Sequence, residues 1–161
     1  MDALEAIRKR RSVRAYTGDP VPRADLETIV DAGRLAATGF NRQPWDFIVV
    51  TDAAIIDQLT VAASWMAQAG AIIALVVDPT AEYWLEDAAA AVENMLIAAT
   101  ALGYGSCWLE GRTKRHEAEL KVLLHVPEAK RLLTLVPIGV PVGWPTHEKR
   151  SLDEVIHWET Y

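Results

Sequence analysis

Ala71-Ile72-Ile73-Ala74-Leu75-Val76-Val77 is an unbroken apolar run, ended by Asp78-Pro79. A strand with one wet face alternates polar and apolar residues; this run has no polar alternation and suits a strand covered on both faces. Such a strand needs helices above and below it, and the flanking sequence supplies them. Upstream, Thr51 or Asp52 caps a helix whose stripe is Ile55, Ile56, Leu59, Ala62 and Met66. Downstream, the longest helix runs from about Tyr83 to Leu102 and is stopped by Gly103. It is Ala-rich and apolar on most sides apart from Glu86, Asp87, Glu93 and Asn94, so it is central, buried in the core or at a subunit interface.

Working outward, Leu4 to Lys9 reads as a short helix, and the turn Tyr16-Thr17-Gly18-Asp19-Pro20 punctuates the chain after it. A second helix runs from about Arg23 to Ala37, with Leu26, Ile29, Val30, Gly33 and Ala37 at helical spacing and Gly39 as its stop. Asp46 to Thr51, Gly105 to Leu109 and Leu132 to Val140 read as three more strands, and His116 to Leu124 as a further helix. A Pro/Gly-rich loop and a short amphipathic tail, Leu152 to Tyr161, complete the chain. Strands alternate with helices, which predicts an α/β architecture: a mixed sheet with helices on both faces. No repeat, linker or low-complexity tract interrupts it, so residues 1–161 are expected to form one domain.

Hydrophobic residues make up 51% and charged residues 24% of the 161, an ordinary globular balance with enough chain for a substantial core. No apolar run approaches the length of a membrane span, and Met1-Asp2-Ala3-Leu4-Glu5 does not resemble a secretory signal. A lone cysteine, Cys107, excludes an internal disulfide and points to a reducing cytoplasm. The net charge of −6 argues against a nucleic-acid partner, which calls for a broadly basic surface.

Against that acidic background, Arg10-Arg11-Ser12-Val13-Arg14 concentrates three guanidinium groups and a hydroxyl in five residues. Guanidinium groups bind phosphate through a planar fork of donors, so the cluster suits a local pocket for a small phosphorylated ligand. It also suits a solvated basic turn. Asn41-Arg42-Gln43-Pro44-Trp45 places two carboxamides just before a strand. Each offers a donor and an acceptor, which matches the mixed edge of a heterocycle such as the flavin pyrimidine ring. A polar turn, with Asn tolerating an unusual backbone angle, explains the same residues.

Other chemistries are not signalled. The chain has no GxGxxG after a strand, no GxxxxGK[ST] and no GxSxG elbow. His116, His125, His147 and His157 lack short ligand spacing, so no metal site is expected. Cys107 in an apolar segment reads as a small buried residue. An anion pocket without its own nucleophile or metal suggests chemistry borrowed from a cofactor.

The two segments, in this order and spacing, resemble the flavin-dependent nitroreductase family. The resemblance begins with Ile7-x-x-Arg10-Arg11-Ser12-Val13-Arg14 and continues through the run Leu35-Ala36-Ala37-Thr38-Gly39-Phe40-Asn41-Arg42-Gln43-Pro44-Trp45. Leu102-Gly103-Tyr104-Gly105-Ser106-Cys107-Trp108, Val136-Pro137-Ile138-Gly139-Val140-Pro141 and the segment from Lys149 to His157 follow in the family's order.

The resemblance implies a three-layer α/β/α sandwich with a central mixed sheet, an obligate homodimer, and FMN at the subunit interface. By motif position, Arg10 and Ser12 are expected at the phosphate and ribityl end and Arg14 at the N1/O2 side of the ring. Arg11 is grouped with them among the cofactor-binding residues, its role open. Thr38, Gly39 and Asn41 are expected to reach the cofactor of the other subunit, with Gln43 supporting their loop. Leu109, Glu110 and Gly111 correspond to backbone donors near flavin N5, and Lys149 and Arg150 to a basic pair on the phosphate. The same resemblance implies NADH or NADPH as electron donor and a nitroaromatic or quinone acceptor, with no catalytic acid or base. Trp65, Trp84 and Trp108 are candidates to flank a substrate or to fill core. The chain departs from the family where Ala36-Ala37-Thr38-Gly39 lacks the proline of the usual loop, and where one helix fills the segment between the first two strands. That departure keeps two other readings open: a flavin-binding sensory module without turnover, and a flavin-free structural dimer.

Overall fold

A computed structural model describes residues 1–161. The run Ala71–Val77 forms β2, and all of its residues are buried. It is flanked by β1 (Trp45–Val50) and β4 (Arg131–Gly139), and the short β3 (Gly105–Ser106) closes the order β1-β2-β4-β3. Side chains alternate across β2 as strand geometry requires. Ala71, Ile73, Leu75 and Val77 join a core with Leu26, Ile29, Val92 and Met95, from α2 (Arg23–Arg34) and α4 (Trp84–Ala101). Ile72, Ala74 and Val76 join a second core with Ile56 and Leu59 of α3 (Ala53–Leu59) and Leu120 of α6 (Glu117–Leu123). The result is the expected α/β/α sandwich. Each fully buried Ile, Leu or Val contributes about 1.5–3 kcal/mol, so a strand buried on both faces anchors both layers.

Local signals set the remaining elements. Asp2 caps α1 (Ala3–Lys9) by accepting from the Glu5 N–H at 2.8 Å. Asp52 caps α3 by accepting from Ala54 and Ile55, as its sequence position predicted. α5 (Gly111–Arg115) is a short helix in a stretch where local pattern predicted no element.

Five expectations need correction. The helix whose stripe was to reach Ala62 and Met66 ends at Leu59, and Met66 sits in a separate 3₁₀ turn, Ser64–Gln68. The three strand ladders are all antiparallel, and the sheet's mixed character is confined to a parallel bridge between Ser12 and Ser106. Helical connections permitted parallel neighbours, but the two strands of like direction that α4 joins, β2 and β3, are kept apart by β4. The helix expected to reach Ala37 ends at Arg34, capped by Leu35. Gly39 is therefore not its stop; it opens a single 3₁₀ turn, Gly39–Asn41. The strand expected over Gly105 to Leu109 shrinks to two residues, after which the Cys107 N–H donates to the Pro137 carbonyl at 3.3 Å and Leu109 pairs with Leu135. Trp108 just before Leu109 turns its indole N–H to the Glu110 carboxylate at 3.2 Å.

Candidate flavin site

The basic cluster leaves α1 and runs along the β3 edge of the sheet. Val13 is buried and its N–H donates to the Ser106 carbonyl at 2.9 Å, which fixes Ser12 and Arg14 to either side. The close approach depends on Gly105, where an added Cβ would lie 2.8 Å from Val13 Cβ. Tyr16 locks the turn from beneath: its buried hydroxyl donates to the Val13 carbonyl at 2.8 Å. Burial pushes the Tyr16 phenol well above its ordinary range, so it is a structural donor only.

Arg10, Ser12 and Arg14 converge beside Cys107. Burial raises that thiol, while the Arg14 charge, the Ser12 hydroxyl and the Arg10 charge each pull it down, which requires all three to be near it. A buried thiol whose pKa is raised is inert, as its apolar setting suggested. Arg10 is mostly buried and also reaches Glu93 of α4 at 3.2 Å. Arg14 has no carboxylate partner and is exposed.

The chain's last third returns to this cluster. Thr17 N–H donates to Val140 O at 3.0 Å and Val142 N–H to Ala15 O at 3.1 Å, laying residues 140–150 along residues 9–17. Arg11 Nε donates to the His147 carbonyl at 3.2 Å, two residues before the exposed and unpaired Lys149 and Arg150. A basic pair at the far end of the sequence is thus tethered to the arginine cluster.

Thr38 to Gln43 lie apart from it. No hydrogen bond or ion pair joins residues 10–14 to residues 38–43 within one chain. The loop is held by Asp87 of α4, buried to 5% exposure, whose Oδ1 accepts from the Gly39 N–H at 2.8 Å. Gly39 is packed so closely on Tyr83 that a Cβ would sit 2.4 Å from its ring. Phe40, Asn41 and Gln43 all take positive φ (52°, 55° and 51°), a conformation that non-glycine residues rarely hold. Gln43 stabilises the turn, its Nε2 donating to the Asn41 carbonyl at 3.2 Å, and its N–H to Thr38 Oγ1 at 3.3 Å. Strained backbone of this kind concentrates at functional sites. Phe40 remains 78% exposed at the tip.

On the other side of the β3 edge, the Leu109 N–H is spent on the Leu135 carbonyl at 3.0 Å, whereas the Glu110 and Gly111 N–H groups have no partner. Of the three tryptophans considered for a substrate face, Trp65 packs with the core on the α3 side and Trp84 and Trp108 with that on the α4 side.

Three surface clefts of about 610, 620 and 430 Å³ are lined by none of Arg10, Ser12 and Arg14. In one chain Arg14 is exposed, whereas Arg10 and Ser12 are partly buried. Asp87 was not among the expected site residues and the role of Arg11 was open, because their partners lie 48 and 136 residues away.

The family model for the nitroreductase family matches residues 7–78 and 58–140. This chain belongs to the nitroreductase family. An Archaeoglobus fulgidus relative, provisionally named an NADH dehydrogenase/NAD(P)H nitroreductase, is 36% identical over 150 residues, covering 87% of this chain and 86% of its own. A Bacteroides thetaiotaomicron crystal structure with the same provisional name superposes with a TM-score of 0.90 at 30% identity, covering 99% of this chain and 98% of that one. A Bacteroides fragilis nitroreductase solved with bound FMN has a TM-score of 0.85 at 27% identity, covering 98% of each chain. No helix of this nitroreductase-family chain is long and apolar enough to cross a membrane.

Proposed function

We propose that this chain is an FMN-dependent oxidoreductase that acts as a homodimer in a reducing cytoplasm, using NADH or NADPH to reduce nitroaromatic or quinone acceptors. The carrying observation is the donor set: Arg10, Ser12 and Arg14 converge on one surface, and the unpaired Lys149 and Arg150 are tethered beside them. Two free guanidiniums, an ammonium, a hydroxyl and the partly engaged Arg10 suit a phosphate monoester close to doubly charged. The donors therefore fit FMN. When bound, FMN supplies two-electron chemistry in which the pyridine nucleotide is oxidised and the acceptor reduced in alternating, ping-pong order.

The chain's own residues bind and orient. Arg10, Lys149 and Arg150 would neutralise the phosphate end, and the Ser12 hydroxyl would donate to it. Arg14 faces the N1/O2 edge, where a cation favours the reduced, anionic ring. Glu110 and Gly111 offer the free N–H groups near N5; Leu109 contributes position only, its N–H being taken by Leu135. Thr38, Gly39 and Asn41 act on the cofactor of the partner subunit, on a loop that Gln43 and Asp87 hold in shape. A second copy is also favoured by apolar residues left uncovered in one chain: Leu4 (62% exposed) and Ile7 (51%) on α1, and Leu152 (67%) and Trp158 (78%) in the tail.

Anaerobic spectroscopy tests this reading. The FMN-loaded protein is expected to bleach on addition of NADH or NADPH, and to recover its colour with a nitroaromatic or quinone. Colour that neither nucleotide bleaches would overturn turnover and favour a flavin-binding module.

A further inference from the structure

Arg11 is the one member of the cluster with no role assigned above, and its contacts differ from those of its neighbours. Its guanidinium makes no ion pair. Nε donates to the His147 carbonyl at 3.2 Å, and Nη1 donates to the Arg8 and Arg10 carbonyls at 2.8 and 2.7 Å. Arg8 and Arg10 belong to the C-terminal end of α1, whose last carbonyls have no partner within the helix. One rigid fork thus satisfies the helix end and grips a segment 136 residues further along the chain.

The gripped segment needs a grip. Up to Trp144 it is held by Thr17, by Ala15, and by the Lys9 ammonium 4.9 Å from the Trp144 ring centroid. From residue 145 to residue 150, the Arg11–His147 bond is the only hydrogen bond, and no ion pair is made. Lys149 and Arg150 make no ion pair that could hold the segment, so its one tie to the cluster is a hydrogen bond to a neutral carbonyl oxygen.

We propose that Arg11 is a positioning residue that clamps residues 145–150 against the end of α1, so that Lys149 and Arg150 stand beside Arg10, Ser12 and Arg14. It acts on the bound anion through that strap. The consequence for binding rests on the flavin reading; the clamp itself does not.

Two measurements on the full-length protein separate the clamp from the flavin reading. The first is limited trypsin digestion, before and after the flavin is dialysed away, with cleavage after Lys149 and Arg150 followed by mass spectrometry. Arg11→Met keeps the aliphatic stem and removes the fork, and is expected to raise that cleavage rate about tenfold in both states, as loss of a charge-assisted hydrogen bond implies. Arg11→Lys grips one segment at a time and falls between, and it replaces the Met variant if that one does not fold. Arg115→Met, on α5, leaves the rate unchanged. The second is FMN titration. Arg11→Met and the double variant Lys149→Ala/Arg150→Ala are expected to weaken FMN by similar factors, and the triple variant by no more than the double. Cleavage by the Arg11 variants within twofold of wild type would overturn the clamp. So would a triple variant whose loss is the product of the separate losses. If wild type binds no FMN, the flavin reading fails and the digestion alone decides the clamp.

Discussion

Replacing Asp87 by Leu removes the one side-chain acceptor that anchors the Thr38–Gln43 loop. Asp87 is 5% exposed and its Oδ1 takes the Gly39 N–H at 2.8 Å. A hydrogen bond to a charged group contributes about 1.5–3 kcal/mol, and its loss leaves the Gly39 N–H unsatisfied against Tyr83. The loop has little reserve, because Phe40, Asn41 and Gln43 each sit at positive φ at a cost of about 1 kcal/mol or more. Asp87→Leu should therefore destabilise by about 2 kcal/mol. In a domain of this size that lowers Tm by about 4–8 °C. Asp87→Asn keeps an oxygen acceptor of the same reach and should lose less than half of that. Differential scanning calorimetry gives both shifts, and FMN titration should show a weaker complex for Leu than for Asn. Equal losses for the two variants would refute the reasoning, since packing rather than the hydrogen bond would then explain Asp87.

Arg14→Ala should lower the midpoint potential of the bound flavin by about 30 mV, the two-electron equivalent of about 1.4 kcal/mol, because the anionic reduced ring loses its cation; spectroelectrochemistry reads the shift, and an unchanged potential removes Arg14 from the ring. Glu117 accepts from Arg131 at 2.6 and 2.7 Å and from the Leu132 N–H at 3.1 Å, and the Arg131 hydrogen bonds hold its carboxyl below the ordinary value of 4.5. A depressed carboxylate stabilises the fold above its unfolded pKa and loses that contribution as pH falls through the folded value. Glu117→Gln should thus cost about 1 kcal/mol at neutral pH, a figure kept small because Arg131 is partly exposed, with the gap closing below pH 4.5; a gap that persists there in urea melts would refute the assignment.

The parts of the fold legible in the sequence are those set by local pattern. Ala71 to Val77 could only be a strand covered twice, and it is the buried centre of the sheet. The apolar helix expected from Tyr83 to Leu102 differs from α4 by one residue at each end. The strand expected over Gly105 to Leu109 proved two residues long, because an apolar run does not mark where regular pairing with β4 ends. Gly39 looked like a helix stop, yet it is required by the face of Tyr83, a contact across 44 residues that no local rule encodes. Strand direction was equally hidden, since alternation of helix and strand fixes layers but not the sense in which connections return. The convergence of Arg10, Ser12 and Arg14 was legible because one short stretch of chain carries them all. Arg11 and Asp87 were not, because their meaning comes from partners brought near only by the fold.

The central claim is that the cluster from Arg10 to Arg14, with Lys149 and Arg150, holds the phosphate of FMN. Isothermal titration of the flavin-free protein with FMN and with riboflavin, which lacks the phosphate, tests it directly. Several charge-assisted hydrogen bonds to one phosphate predict that FMN binds at least about 100-fold more tightly than riboflavin, with the advantage shrinking as salt rises. Equal affinity for the two flavins, or no binding of either, would contradict it.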